Sequence, residues 1–156
     1  MLAVGRMKQG PERELMSRYL ERAVGTGKSL GLTGFTVSET TESRAGSTAA
    51  RKAEEAKALH ALMPSETLTI ALDEQGKSMS SDDFARRIAR WRDDGKQALN
   101  FVIGGADGLD ASLLQSAALT LSFSPLTWPH QMVRIMLAEQ LYRATTILSG
   151  HPYHRE

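Results

Sequence analysis

Two periods alternate along this chain. Short apolar runs such as Thr67-Leu-Thr-Ile-Ala-Leu72 and Leu99-Asn-Phe-Val-Ile103 read as buried strands, and the stretches between them carry apolar residues at helical spacing. From the start, 1–4 is a short strand-like run, and 11–24 is helical, with Leu15 and Tyr19 four apart and Pro11 suited to a first turn. Gly25, Gly27, Gly31 and Gly34 read as a loose connector, and 35–37 as a weak strand. The span 47–63, rich in Ala, Lys and Glu and followed by Pro64, predicts a strong helix. A strand over 67–72 leads to a helix capped by Ser80 or Ser81 and running to Arg92, with Phe84, Ile88 and Trp91 on one face. A strand over 99–103, a short helix capped by Asp110 and reaching about Ala118, a strand over 119–123 and a helix over 129–149 complete the chain.

Strand and helix thus alternate about five times, which predicts an α/β fold: a mainly parallel sheet with helices on both faces. No repeat and no low-complexity linker interrupts the pattern. A single domain over 1–156 is expected.

Composition narrows the function classes. The chain is 41% hydrophobic and 24% charged, an ordinary globular balance. It has no cysteine, so a disulfide framework, a thiolate metal site and a thiol nucleophile are excluded, and a reducing cytosol is the easier compartment. Nineteen Lys and Arg against 18 Asp and Glu leave a net charge of +1, too little to hold nucleic acid by bulk electrostatics. Any nucleic-acid role needs a local patch or a second copy. Met1-Leu-Ala-Val4 gives way to Gly5-Arg6 before an h-region can form, and 132–148 is broken by Arg134, Glu139 and Arg143. A soluble protein is expected.

In open α/β sheets ligands lie beyond the carboxyl ends of the strands. Three expected strands end in unusual connectors: Asp73-Glu-Gln-Gly-Lys77 after Leu72, Gly104-Gly-Ala-Asp-Gly108 after Ile103, and Ser124-Pro-Leu-Thr-Trp-Pro-His130 after Phe123. The glycines alone read equally well as a tight turn. Three such loops at one sheet edge read as a binding site. Gly25-Thr-Gly-Lys-Ser29 imitates a phosphate loop, but position 22, where its opening glycine belongs, is Arg22, and the stretch follows a helix.

The last helix has apolar residues nearly all round, with Val133, Leu137, Leu141, Ala144 and Leu148 on one side and Ile135, Tyr142 and Thr146 on another. A second buried side in so short a chain points to an identical partner. Glu139 and Arg143 stand four apart, the spacing of an intrahelical ion pair. The tail, Gly150-His-Pro-Tyr-His-Arg-Glu156, packs two histidines, a tyrosine and an arginine together. It reads either as a frayed end or as a set that stacks and anchors a nucleotide. His130 has no second ligand at metal spacing, and no metal is expected.

Taken in order, Leu72-Asp-Glu-Gln-Gly-Lys77 with Ser80-Ser81, Phe101-Val-Ile-Gly-Gly-Ala-Asp-Gly-Leu109, Leu121-Ser-Phe-Ser-Pro-Leu-Thr-Trp-Pro-His130, Ala138-Glu-Gln-Leu-Tyr-Arg-Ala144 and Pro152-Tyr-His-Arg-Glu156 resemble one family across essentially the whole chain. It is the ribosomal RNA large subunit methyltransferase H family of the SPOUT superfamily. The resemblance implies a C-terminal trefoil knot over about 68–150, a substrate-side tail over 150–156 and a homodimer. It also implies methyl transfer from S-adenosylmethionine to N3 of a pseudouridine in helix 69 of 23S rRNA within the assembled ribosome. The cofactor would then lie against Leu72, Gly104 and the run Phe123, Ser124, Pro125, Leu126, Thr127 and Trp128, with Gly104 leaving room for its ribose or methionyl part. Tyr153, His154 and Arg155 would form the substrate side and reach toward the partner subunit's cofactor, with His130 and Arg143 next. His154 or His130 would be the general base, Arg155 an electrostatic stabiliser, and Arg134, Arg143 and Arg155 the local cations for the ribosome.

Two departures stand out. Leu2-Ala-Val-Gly-Arg6 offers less first strand than the family has, and the wording of Pro125-Leu-Thr-Trp128 differs, so contacts there are expected through the backbone. Two alternatives remain: a non-enzymatic ribosome-binding factor of the same fold, and a SPOUT methyltransferase acting on tRNA.

Overall fold

The structure, a computed structural model, describes residues 1–155; Glu156, the last residue of the tail motif, lies outside them. In chain order the elements are β1 (Leu2–Val4), α1 (Pro11–Gly27) with a single tight turn at Lys28–Leu30, β2 (Ser38–Thr40), α2 (Thr48–Leu62), β3 (Leu68–Lys77), α3 (Ser81–Asp93), β4 (Leu99–Ile103), α4 (Ala111–Ser116), β5 (Leu119–Leu121) and α5 (His130–Ser149). The strands form one sheet in the order β2-β1-β4-β3-β5, and every pairing is parallel. The alternation of strand and helix is therefore the expected α/β one.

The chain falls into two compact units. The first comprises 1–6, 37–78 and 97–130 and holds the whole sheet with α2 and α4. Its central strands read as continuous apolar runs because a parallel strand is buried on both faces: Ile70, Ala71, Leu72, Phe101, Val102 and Ile103 are all buried. Leu59 of α2 and Leu113 of α4 pack with Leu2, Val4, Ala71 and Val102 in one cluster. Deleting a fully enclosed side chain such as Leu59 down to Ala would cost about 2–5 kcal/mol, transfer and cavity together. Ser47 caps α2 and Asp110 caps α4, each through a side-chain oxygen that accepts a first-turn N–H.

The second unit comprises 7–36, 79–96 and the chain from Gln131, and holds α1, α3 and α5. Ser80 caps α3 by accepting from the Asp83 N–H, and Asp82 and Asp83 lie in the first turn where the helix dipole favours anions. Arg92 donates to the Leu30 carbonyl at 3.1 Å, and Ser81 donates to Gln140 Oε1 at 2.8 Å. These bonds tie α3 to the end of α1 and to α5.

Five expected boundaries change. The second strand is 38–40, not 35–37, and its residues are polar because it is an edge strand with one partner, β1. α1 runs on through Gly25 and Gly27 rather than stopping at 24. Gly27 is needed there, since a Cβ would stand 2.5 Å from the Leu32 carbonyl oxygen and 3.2 Å from the Phe35 ring. β5 stops at Leu121, and α4 ends at Ser116. Most important, β3 continues to Lys77, so the whole of the first expected ligand loop, 73–77, lies within the strand. Arg134, expected as a surface cation, is fully buried in α5. No helix among the described residues is long and apolar enough to cross a membrane.

Candidate active site

The carboxyl ends of β3, β4 and β5 face the same sheet edge, because the three strands are parallel neighbours. Leu72 sits at that edge, paired with Ile103 on one side and Leu121 on the other. Beyond it the ladder slips: Lys77 also pairs with Leu121, so 73–76 bulge out between two rungs. Asp73 turns the bulge by accepting the Gln75 N–H at 2.9 Å. Gly76 closes it, for a Cβ there would lie 2.7–2.8 Å from backbone atoms of Leu121 and Thr120.

The run 122–128 is fastened to this bulge. The buried Ser122 hydroxyl sits 3.0 Å from both the Glu74 and Ser124 carbonyls and accepts from the Ser124 N–H at 3.2 Å. Ser124 Oγ accepts from the Leu126 N–H at 2.9 Å, and Thr127 donates to Glu74 Oε2 at 2.8 Å. Phe123 and Ser124 are half-buried, whereas Pro125, Leu126, Thr127 and Trp128 are exposed. Leu126 is 67% exposed and Trp128 40%, large apolar groups that the unit leaves uncovered.

Gly104 is buried and opens the third loop. A Cβ there would meet the loop's own backbone, 2.7 Å from the Gly108 carbonyl carbon and 2.9 Å from the Leu109 nitrogen. The absent side chain thus serves the fold of the loop before it serves any ligand. Gly108, at φ 82°, donates to the Gly105 carbonyl at 3.0 Å. Arg51 of α2 grips Asp107 with two bonds of 2.6 and 3.2 Å, which hold the carboxyl of Asp107 below its ordinary value.

In the second unit the tail is folded back by the end of α5. Gly150, at φ 68°, donates to the Ile147 carbonyl at 3.2 Å and His151 N–H donates to Thr146 at 2.9 Å, the six-to-one and five-to-two pair of a Schellman motif. That turn lays Tyr153 and His154 beside the side chains of α5. Glu139 is their common anchor: Oε1 accepts from Arg143 and, at 3.1 Å, from the Tyr153 hydroxyl, while Oε2 accepts from Gln140 at 2.8 Å. Arg143 lies 5.0 Å over the Tyr153 ring and 3.3 Å from His154 Nδ1. His154 Nε2 is 3.3 Å from Asp82 of α3.

A guanidinium only donates, so its bond to His154 is made when Nδ1 accepts and Nε2 carries the proton toward Asp82. Burial, helped by the adjacent Glu139, pushes the Tyr153 phenol well above its ordinary value, so it stays protonated and donates. The bond from Glu139 holds Arg143 above its ordinary value as well.

Three of the five expected substrate-side residues therefore meet: Arg143, Tyr153 and His154. Arg155 is exposed, and His130 opens α5 half-buried. Reading the sequence missed Asp82, Glu74 and Ser122 as site supports. Asp82 could have been flagged as an acid in the first turn of a capped helix, whereas nothing local marks Ser122. Among the described residues no group of three or more His, Asp or Glu could hold a metal ion.

The family described as "Predicted SPOUT methyltransferase" matches residues 1–154. The chain belongs to the SPOUT methyltransferase family. Among curated SPOUT relatives, "Ribosomal RNA large subunit methyltransferase H" of Bradyrhizobium diazoefficiens is 55% identical over 155 residues, covering 99% of this chain and 97% of that protein. The protein of the same name from Rhodopseudomonas palustris is 53% identical with the same coverage. A solved probable methylase family protein from Haemophilus influenzae aligns over 99% of this chain and 69% of its own, with a TM-score of 0.50 at 13% identity, a likeness of fold alone.

Proposed function

We propose that this SPOUT chain is an S-adenosylmethionine-dependent methyltransferase of large-subunit ribosomal RNA, acting on N3 of a pseudouridine in helix 69 of the assembled ribosome. The observation that carries the reading is the cluster at the end of α5, where one carboxylate holds a guanidinium and a phenol beside an imidazole. Identity of 53–55% over nearly the full length to relatives named as ribosomal RNA large subunit methyltransferases supports the substrate class. The residues present fit the donor: backbone groups at Gly104 and along 123–128 suit an adenine edge, and Leu72, Leu126 and Trp128 offer apolar surface to its faces.

When bound, S-adenosylmethionine supplies an electrophilic methyl group on a sulfonium. This chain's share is placement and proton handling. Holding N3 in line at near-attack distance supplies much of the acceleration. The N3 proton has to leave first, and the cation of Arg143, with Arg155, favours the anion that results. Tyr153, protonated, is a donor rather than a base. His154 is a base with its lone pair already engaged by Arg143. When a developing base anion draws Arg143 across, that lone pair is released to take the proton. His130 is the other histidine of the reading.

A homodimer and the trefoil knot belong to the same proposal, with the knot spanning about 68–150. So do a single catalytic domain and a cytoplasmic location. The tail of one subunit would serve the donor bound by the other. Mass spectrometry of ribosomal RNA from a deletion strain, with and without this chain restored, tests the substrate: an unmodified N3 that returns on complementation is the expected result. Calorimetry with S-adenosylmethionine tests the enzyme, and no binding up to millimolar donor would leave the ribosome-binding factor.

A further inference from the structure

The cluster at the end of α5 does not stop at Tyr153. Its ring lies 4.6 Å from the ring of Tyr142, which is buried in α5. Tyr142 in turn meets α1: the Tyr19 ring is 6.3 Å away, and the Arg22 guanidinium carbon lies 5.9 Å from the centre of the Tyr142 ring. Tyr19 and Arg22 stand three apart, so they share one helix face. The result is a continuous row within the unit: Arg22, Tyr142, Tyr153, Arg143, with Tyr19 alongside.

The two cations of the row differ. Arg143 is already bonded to Glu139 and His154 and is reserved for the reacting base. Arg22 is exposed, and no carboxylate among the described residues pairs with it. Its backbone is fixed inside α1, where its carbonyl accepts from Thr26 Oγ1 at 3.1 Å, and its guanidinium is steadied by the Tyr142 ring. A planar fork of N–H donors, held at one place with its donors open, suits a phosphate, which it can grip with two parallel bonds. The 19 Lys and Arg are nearly balanced by 18 Asp and Glu, so local placement rather than net charge has to supply the attraction for phosphate.

We propose that Arg22 is a phosphate-binding residue for the RNA strand that carries the methylated base, positioned by Tyr142 and Tyr19, so that α1 extends the substrate side begun by the tail. The inference rests on the proposed action on RNA. It adds a residue on a helix that neither the tail motif nor the cofactor loops include.

The test compares wild type with Arg22→Met, which keeps the apolar stem over Tyr142, and with Arg22→Lys. Initial rates of methyl transfer to purified ribosomes are measured at several salt concentrations, with donor affinity by calorimetry and melting temperature alongside. For Arg22→Met the expected result is a KM for ribosomes raised about tenfold, as for loss of one charged hydrogen-bonding group. The slope of log affinity against log salt should become shallower by about one ion. Arg22→Lys should recover part of the KM and most of the salt slope, while donor affinity stays at the wild-type value. An unchanged KM and salt slope would overturn the proposal. So would a fall in melting temperature and donor affinity that tracks the loss of activity, because Arg22 would then be packing only. If the wild-type chain binds the donor yet transfers nothing to ribosomes, the proposed substrate fails instead, and the variants differ from it in nothing that involves RNA.

Discussion

The two regions that carry chemistry are built on opposite terms. The loops at the sheet edge are packed closely on main chain and fastened by short side chains: Gly76 and Gly104 sit where a single added carbon would collide with backbone, and Ser122 stitches two loops through their carbonyl and amide groups. The cluster at the end of α5 is held by long side chains that converge on Glu139. The first arrangement is stiff and intolerant of bulk. The second is adjustable and intolerant of lost charge. That contrast suits the proposed division of work. A donor held by its adenosyl part, which the transfer leaves unchanged, can be met by a rigid backbone, while a base that loses a proton needs groups able to shift toward the charge as it forms.

The contrast can be broken in order of effect. Cutting the chain after Pro152 removes Tyr153 to Glu156, with Tyr153, His154 and Arg155 among them, and methylation is expected to fall by roughly three orders of magnitude, within the range that loss of placement and acid–base groups together produces. Donor binding by calorimetry should stay within about twofold, because the bonds that hold the loops come from residues of their own unit. Loss of both together would make the tail a structural strut. Gly104→Ala reverses the pattern: overpacking against Gly108 should cost about 1–3 kcal/mol in urea denaturation and weaken the donor at least tenfold. Glu139→Gln keeps the shape and removes the charge. Leaving Arg143 and the Tyr153 hydroxyl without their anion should cost about 1.5–3 kcal/mol of local stabilisation. It should read out as a fall in kcat with the donor Kd unmoved.

The smallest effect concerns acid. The Asp107 carboxyl is held below its ordinary value in the folded chain, first by its hydrogen bond to Arg51. A depressed carboxyl contributes stability that is fully present above the ordinary aspartate range and lost as pH falls through the folded value. Melting temperature measured from pH 7 down to 3 should therefore fall less steeply in Asp107→Asn than in wild type below about pH 4. An identical slope would mean that the pair is too solvated to matter.

Much of this was legible in the residues. The cap at Asp110, the cap at Ser80 as one of the two serines expected there, and the central strands around Ile70 and Val102 follow from local chemistry and an apolar run, so the sequence predicts them directly. The extension of β3 through Asp73-Glu-Gln-Gly-Lys77 does not follow that way. Those five residues have loop composition, and they belong to the sheet only because Gly76 lets β5 lie against them. The polar edge strand at Ser38–Thr40 is hidden for a related reason: its partner β1 selects it, not its own propensity. At the site, Arg143, Tyr153 and His154 stand out as residue types, but Asp82 is linked to His154 across 72 positions of chain, as the difference between their numbers gives, and no local pattern encodes that.

The turn at Gly150 makes the length of α5 a protractor. Because the Schellman bonds begin from Thr146 and Ile147, the tail leaves the helix in a direction set by the last residue of the last turn. Each residue added to a helix rotates that direction by about 100° and advances it by about 1.5 Å. One residue inserted between Arg143 and Gly150 would therefore swing Tyr153 and His154 away from Glu139 to another side of α5. Four inserted residues would nearly restore the angle while carrying the tail about 6 Å along the axis. The count of residues from Glu139 to Gly150 is thus an angular specification, and a tail of unchanged composition on a helix of altered length would point its chemistry elsewhere.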